Sequence, residues 1–368
     1  MTRNLRGLRL AAAAVLALGV SSVPALAENQ EISVVVSSAS WGQGTSTLTS
    51  LPQQLGFWEE EGLDVEVMKA KGSALGTQLV LGKSADVVHA GTSVGVIGTV
   101  PKGLDMVAFY NMIIHNFQMP AVPADSPIQT LADLKGKKIG VIGLGTATIP
   151  IVKSVLADEG LDPERDVTFV EVGYGAQAAA ALWVTKQVDA LAMYDSVYAA
   201  IENVDPETYK LRILNSPIAA KVSFQTALIT RSDVLRDKRE ELIKLARGNA
   251  KATIFALTNP EAAVRLHWKE HPEMKPTGVD EAEALQKEVN ALMARLTNMR
   301  IDTMAVPRDK WGYIGEVDVE SYLAMLRKIG QAPEDLQASV LYTNELIDEI
   351  NDFDAEAIRQ FALNYKVE

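Results

Sequence analysis

The stretch Gly140–Pro150, GVIGLGTATIP, decides how this chain is read. It opens inside an apolar run, Lys138–Gly143, whose length and composition predict a β-strand. At Gly143-Leu144-Gly145 the run breaks, and two glycines let the backbone turn tightly and come close to a ligand. Thr146 and Thr148 follow, then Pro150, which a helix accepts only in its first turn. Thr148 is therefore the expected N-cap of a helix ending near Asp158. A dinucleotide fingerprint needs a third small residue where Thr148 stands, and a Walker loop needs Gly-Lys-Ser/Thr, which is absent. The stretch reads instead as a strand, a loop and a helix start. Its free N–H groups and positive dipole end suit an anionic or acceptor group.

The same rhythm runs through both halves of the chain. Before it, strands are expected at Ile32–Val36, Leu63–Met68, Ala85–Ala90 and Met106–Tyr110, with helices at Ser46–Glu61, Ala74–Leu81 and Thr92–Val100. After it, strands are expected at Val167–Val172, Asp189–Tyr194 and Tyr209–Leu214, with helices at Ala176–Gln187 and Ser196–Asn203. Ser223–Thr230 again reads as a strand, and from Asp233 onward the pattern is mostly helical. Repeated β-α-β units imply an α/β chain with a mainly parallel sheet flanked by helices in each of two lobes. Lobe 1 is expected to hold residues 28–118 and 225–368, and lobe 2 residues 119–224. The chain then crosses between lobes twice, near 115–123 and 216–225, which makes a hinge able to open and close around a ligand.

Composition narrows the setting. The 368 residues are 48% hydrophobic and 22% charged, an ordinary globular balance. Arg3, Arg6 and Arg9, the apolar Leu10–Val20 and the Ala25-Leu26-Ala27 site read as a secretory signal peptide cut after Ala27. Loss of those arginines would take the formal net charge from −12 to −15, which disfavours nucleic acid and anionic membranes as partners. There is no cysteine, so disulfides and a cysteine-linked lipid anchor are excluded. The expectation is a monomer free in a periplasm.

Candidate ligand-binding residues lie where strands end, the usual place for ligands in open α/β sheets. In the first half these are Ser40, Trp41 and Gly42, then Gly72 and Ser73, then Gly91, Thr92 and Ser93. In the second half they are Gly145, Thr146, Ala147 and Thr148, with Tyr174, Tyr194 and Asp195. Trp41 would stack on a flat ligand or cover an apolar one. Asp195 either caps the following helix or receives an amine. Catalytic readings find little support. His267 and His271, in HWKEHP, are four apart but do not form the zinc pattern, and they read as a surface helix end. His89 reads as core, there is no Gly-x-Ser-x-Gly elbow, and no cofactor or metal site is expected.

Several stretches resemble one known family. LGFWEEEGLDVEV (Leu55–Val67), LVLGKSADVVHAG (Leu79–Gly91), LADLKGKKIGV (Leu131–Val141), WVTKQVDALAMYD (Trp183–Asp195) and TNELIDEINDFD (Thr343–Asp354) are similar to solute-binding proteins of ABC importers. The group is that of the aliphatic sulfonate, taurine and nitrate binders, which share a domain with thiamine-precursor-synthase-like proteins. The resemblance implies a two-lobed (type II) periplasmic binding fold, a small solute in the interlobe cleft, and a permease and ATPase as partners. It implies binding through Ser40–Gly42, Gly72–Ala74, Gly91–Ser93, Gly145–Thr148 and the end of QVDALAMYD. The synthase members carry a cysteine-rich iron motif, which this cysteine-free chain lacks. Lys71, which opens the Lys71-Gly72-Ser73-Ala74 loop, is the one cation there, so a larger organic solute, a sulfonate or an aromatic or other organic acid, fits better than nitrate or bicarbonate. A pyrimidine-like or other amine-bearing heterocycle is the alternative.

Overall fold

The structure, a computed structural model, describes residues 29–115, 117–303 and 309–367. The expected leader lies outside the described residues. In chain order the strands are β1 (Gln30–Val36), β2 (Leu63–Lys69), β3 (Val87–Gly91), β4 (Val107–Ile113), β5 (Pro120–Pro123), β6 (Lys137–Val141), β7 (Val167–Glu171), β8 (Ala190–Ala192), β9 (Leu211–Ile213) and β10 (Thr226–Thr230). They form two five-stranded sheets, ordered β2-β1-β3-β10-β4 and β7-β6-β8-β5-β9. Sheet membership changes twice, between β4 and β5 and between β9 and β10.

The strand directions follow from those two changes. β1 runs parallel to β2 and β3, and β6 parallel to β7 and β8. β10 is antiparallel to β3 and β4, and β5 antiparallel to β8 and β9. β4 and β9 therefore run with the parallel strands, toward the edge facing the other lobe. The chain leaves each lobe there and enters the next strand from that same edge, so β5 and β10 must run the opposite way. The mixed sheets are thus a direct consequence of crossing twice.

Side-chain alternation builds the cores. Ile32, Val34 and Val36 of β1 face one apolar cluster, and Val35 faces another. The first cluster is closed by the Arg239–Thr258, Pro260–Glu270 and Glu281–Thr297 helices. The second is shared by both lobes: it joins Val88 and Ala227 of the first sheet to Ile139 and Ala190 of the second. Val319, Tyr322 and Leu323 of the Glu316–Arg327 helix pack into it as well. That helix also meets the second lobe through Lys328 Nζ, 2.7 Å from Asp158.

Some expected helices are shorter or broken. Ser46–Glu61 is a run of tight turns around the five-residue helix Ser50–Gln54, interrupted where Gly56 takes φ 72°. Gly62, at φ 66°, ends it in the left-handed region. Only Thr92–Gly95 of the expected Thr92–Val100 helix is α-helical, with a 3-10 turn opening at Val100, and Ala176–Ala179 runs into a widened π turn at Ala180–Val184. Thr148 is the first residue of its helix rather than the cap; Ala147 takes the cap position and makes no side-chain bond there.

Trp58 anchors the first core. It is 1% exposed and donates from Nε1 to the Leu245 carbonyl at 3.2 Å. Gly248, one helical turn on, leaves room for its ring: a Cβ there would stand 2.5 Å from Nε1. Gly248→Ala should therefore destabilise the chain by about 1–3 kcal/mol, because overpacking outweighs the better helix propensity of alanine. Thermal unfolding checks this, and an unchanged or raised midpoint would show that the ring is free to shift.

Candidate functional site

A cavity lies between the two sheets, where the parallel strands end. Its open space, mouth included, is about 510 Å³. Lobe 1 contributes Ser37 and Ser38 after β1, Ser73, and His89 and Gly91 from β3. Lobe 2 contributes Tyr174, Tyr194 and Ser196, each just beyond a strand end, and Ala147 at the cap of the helix that follows β6. Phe117 and Gln118 come from the first crossing segment, and Arg295 from the Glu281–Thr297 helix. Ser37 Oγ and His89 Nδ1 are buried without a hydrogen-bond partner. Buried polar atoms are nearly always paired in a folded chain, so these two stand out beside a cavity lined by both lobes.

Glycines let the lobes come this close. A Cβ on Gly91 would overlap Ala147, whose Cα would be 3.5 Å away. A Cβ on Gly42 would sit 2.8 Å from the Tyr174 hydroxyl, and one on Gly44 would sit 3.0 Å from Ser196 Cβ. At a fourth point, Ala74 N–H donates to the Gly145 carbonyl at 3.3 Å, across from Gly72. Outside these contacts Lys71 pairs with Glu171.

One buried ion pair also spans the lobes. Asp195 opens the Asp195–Val204 helix of lobe 2. Arg295 Nε donates to both its carboxylate oxygens, at 2.9 and 3.0 Å, and Nη2 donates to Oδ1 at 2.7 Å. Arg295 Nη1 donates to the Gly44 carbonyl at 3.2 Å. The guanidinium lies 4.7 Å from the Phe117 ring centre and 5.3 Å from that of Tyr194, both within cation–π reach. Asn298 Nδ2 adds a bond to Asp195 at 2.9 Å, and its carbonyl accepts from Ile114 and His115 of the crossing segment. Burial opposes the charge of Arg295, but Asp195 outweighs it and holds the guanidinium above its ordinary pKa.

Of the residues expected from sequence, Gly42, Ser73, Gly91, Ala147, Tyr174 and Tyr194 line this cavity. Gly72 and Gly145 meet each other at the lobe contact. Thr92 is fully buried and bonds the Phe224 carbonyl, Ser93 lies beside Tyr322, and Thr148 is buried in its helix. Thr146 Oγ1 is buried and unpartnered but off the wall. Ser40 turns to Met274, with Oγ 3.7 Å from its sulfur. Trp41 stacks on His271 instead, rings 5.0 Å apart and 9° from parallel, in a separate surface groove. Asp195 is neither a simple cap nor open to an amine, since Arg295, Asn298 and the Ser196 N–H occupy its carboxylate.

Three residues carry roles that sequence reasoning missed. His89 is on the cavity wall, and burial, then the nearby Arg295, push its pKa down to about 3, so it presents a neutral ring. His267 is fully buried rather than at a surface helix end. Its ring bonds Ser50 Oγ at 2.7 Å and the Trp41 carbonyl, which fixes the loop leading to Gly42. Burial pushes His267 down to about 4, so at neutral pH it donates to that carbonyl from Nε2. Arg295 lies a hundred residues from its partner on an ordinary amphipathic helix, and only the helical period was visible there.

Glu288, on the same helix, is pushed up to about 7 by burial, with the Gln43 amide partly offsetting it. A folded-state value above the unfolded one means its stabilising contribution is complete below about pH 4.5 and is lost as pH rises through 7. Glu288→Gln should match the parent at pH 4 and melt higher by roughly a few degrees at pH 8. Equal melting midpoints at both values would show that the carboxyl is not held neutral.

A family model described as "NMT1/THI5 like" matches residues 46–263. The chain is 25% identical over 242 residues to a protein of Brucella abortus (strain 2308) that carries a binding-protein name, covering 66% of this chain and 72% of that one. Among solved structures it is similar to the alkanesulfonate-binding protein SsuA from Xanthomonas axonopodis pv. citri bound to MOPS, with TM-score 0.63 and 16% identity, covering 86% and 99% of the two chains. It is also similar to the periplasmic nitrate-binding protein NrtA from Synechocystis PCC 6803, with TM-score 0.59 and 14% identity, covering 92% and 99%. These likenesses give the periplasmic-binding-protein fold, and the family match, over more than half of the sequence, makes the chain a member of the NMT1/THI5-like family.

Proposed function

We propose that this chain is the substrate-binding protein of an ABC importer. It captures a small organic solute between its lobes in the periplasm and delivers it to a permease and ATPase. The observation that carries this reading is the cavity at the meeting of the two lobes, with polar and aromatic residues of both lobes on its wall. Wall groups come from both lobes, so a solute bridging them favours the closed form by the difference in its contacts to closed and open states. The family resemblance puts sulfonates and organic acids first among solutes. The aromatic rings of Phe117, Tyr174 and Tyr194, beside mixed donors and acceptors, favour a heterocycle such as a pyrimidine. A periplasmic enzyme is the weaker reading, because among the described residues on the wall no nucleophile is paired with a base.

Two measurements test capture by closure. A thermal-shift screen over sulfonates, aromatic acids, pyrimidines and small anions should find a solute that adds about 2.7 kcal/mol at 100 times its dissociation constant. Small-angle scattering should then show compaction, and an unchanged radius at saturation would contradict the reading.

The glycine contacts give a sharper test. Gly91 has φ −64°, which any residue adopts, so Gly91→Ala acts only by collision with Ala147. It should weaken the solute found in the screen at least tenfold, about 1.4 kcal/mol. The double variant Gly91→Ala/Ala147→Gly should recover most of the loss. Full affinity in the single variant would show that the lobes need not meet at this point.

A further inference from the structure

Resting on the solute-capture reading, we infer that the Asp195–Arg295 pair sets the charge of the solute: the cavity selects an uncharged polar molecule and rejects free anions. Among the described residues on the wall, Arg295 is the one permanently charged side chain. Its charge is already matched. Two of its nitrogens bind the Asp195 carboxylate, itself 9% exposed at the side chain, directly behind it. Those bonds and the one to Gly44 use three of the five N–H groups of the guanidinium, leaving two for a solute acceptor.

The rest of the wall is neutral. His89 lines the cavity as an uncharged imidazole, and Tyr174 and Tyr194 offer hydroxyls. An anion entering here would gain Arg295 but also meet the field of Asp195 a few ångströms behind it. It would shed its hydration shell for a site with no net charge, and burying an unmatched ion is costly. A neutral amide, sulfonamide or heterocycle accepts from Arg295 at no such cost and gives its own N–H groups to the hydroxyls of Tyr174 and Tyr194. Charge rejection of this kind separates solutes of equal shape, which apolar walls do poorly. The second function of the pair, tying the Asp195–Val204 helix to the Glu281–Thr297 helix, means the filter is complete only when the lobes are closed.

The test is Asp195→Asn, which keeps the shape of the acceptor and removes its charge. Binding is measured by calorimetry for shape-matched pairs: methanesulfonate against methanesulfonamide, and benzoate against benzamide. Inorganic sulfate is added as a small anion. The parent protein should favour the neutral member of each pair it binds. Asp195→Asn should gain at least tenfold for the anions relative to the parent, and sulfate should raise its melting midpoint but not the parent's. A parent that favours the anions, or an Asp195→Asn protein that gains for none of them, overturns the inference.

Asp195→Asn/Arg295→Gln, which leaves no unmatched charge, covers the case in which the single variant is unstable. It should fold, and it should be as indifferent to sulfate as the parent; a sulfate response in this double variant also overturns the inference. Failure of the charge preference while a neutral solute still compacts the parent in scattering would leave capture by closure standing. Absence of compaction with every solute would instead remove the capture reading itself.

Discussion

A buried guanidinium cannot stand without a counter-charge, and Arg295 finds its own in the other lobe. Leaving one partner of such a pair alone typically costs about 3–5 kcal/mol. The Asp195–Arg295 contact therefore ties together parts of the chain that the two crossings have separated. It draws the start of the Asp195–Val204 helix onto the Glu281–Thr297 helix, and through Asn298 it holds the crossing chain at Ile114 and His115. Phe117 and Tyr194 are positioned against the same guanidinium, so the aromatic wall of the cavity depends on it as well.

The glycines answer a complementary constraint. Where Gly42, Gly44 and Gly91 stand, even a methyl group would hold Tyr174, Ser196 or Ala147 away. Attraction at the ion pair and permissive space at these points act together. The result is a cavity between the lobes whose wall sets neutral groups around one balanced pair.

Much of the fold was legible from local pattern. β1, β2, β6 and β7 fall where short β-branched or alternating runs predict them, and the long helices after Arg239 fall where the 3.6-residue period does. The broken helices at Ser50–Gln54 and Ala176–Val184 were not, because an interruption there depends on local turn geometry that helical spacing hides. The GVIGLGTATIP stretch contributes Ala147 to the wall and Gly145 to the lobe contact. Thr146 is half-buried in the loop before the helix, and Thr148 is buried at the helix start. The site was legible only where strand ends announce it, as at Ser73, Tyr174 and Tyr194. His89 was hidden in an apolar strand, and Arg295 and His267 in helices whose patterns speak only of packing. Trp41 shows the converse: a loop position suggested a ligand, yet the ring found a partner in His271.

A crystal structure with a solute taken from the thermal-shift screen tests the central claim most directly. It should show the solute between Tyr174, Tyr194 and His89, accepting from Arg295 while the Asp195–Arg295 pair stays intact. Solute density outside this cavity, or an Arg295 released from Asp195 to hold the solute as a free cation, would contradict the account.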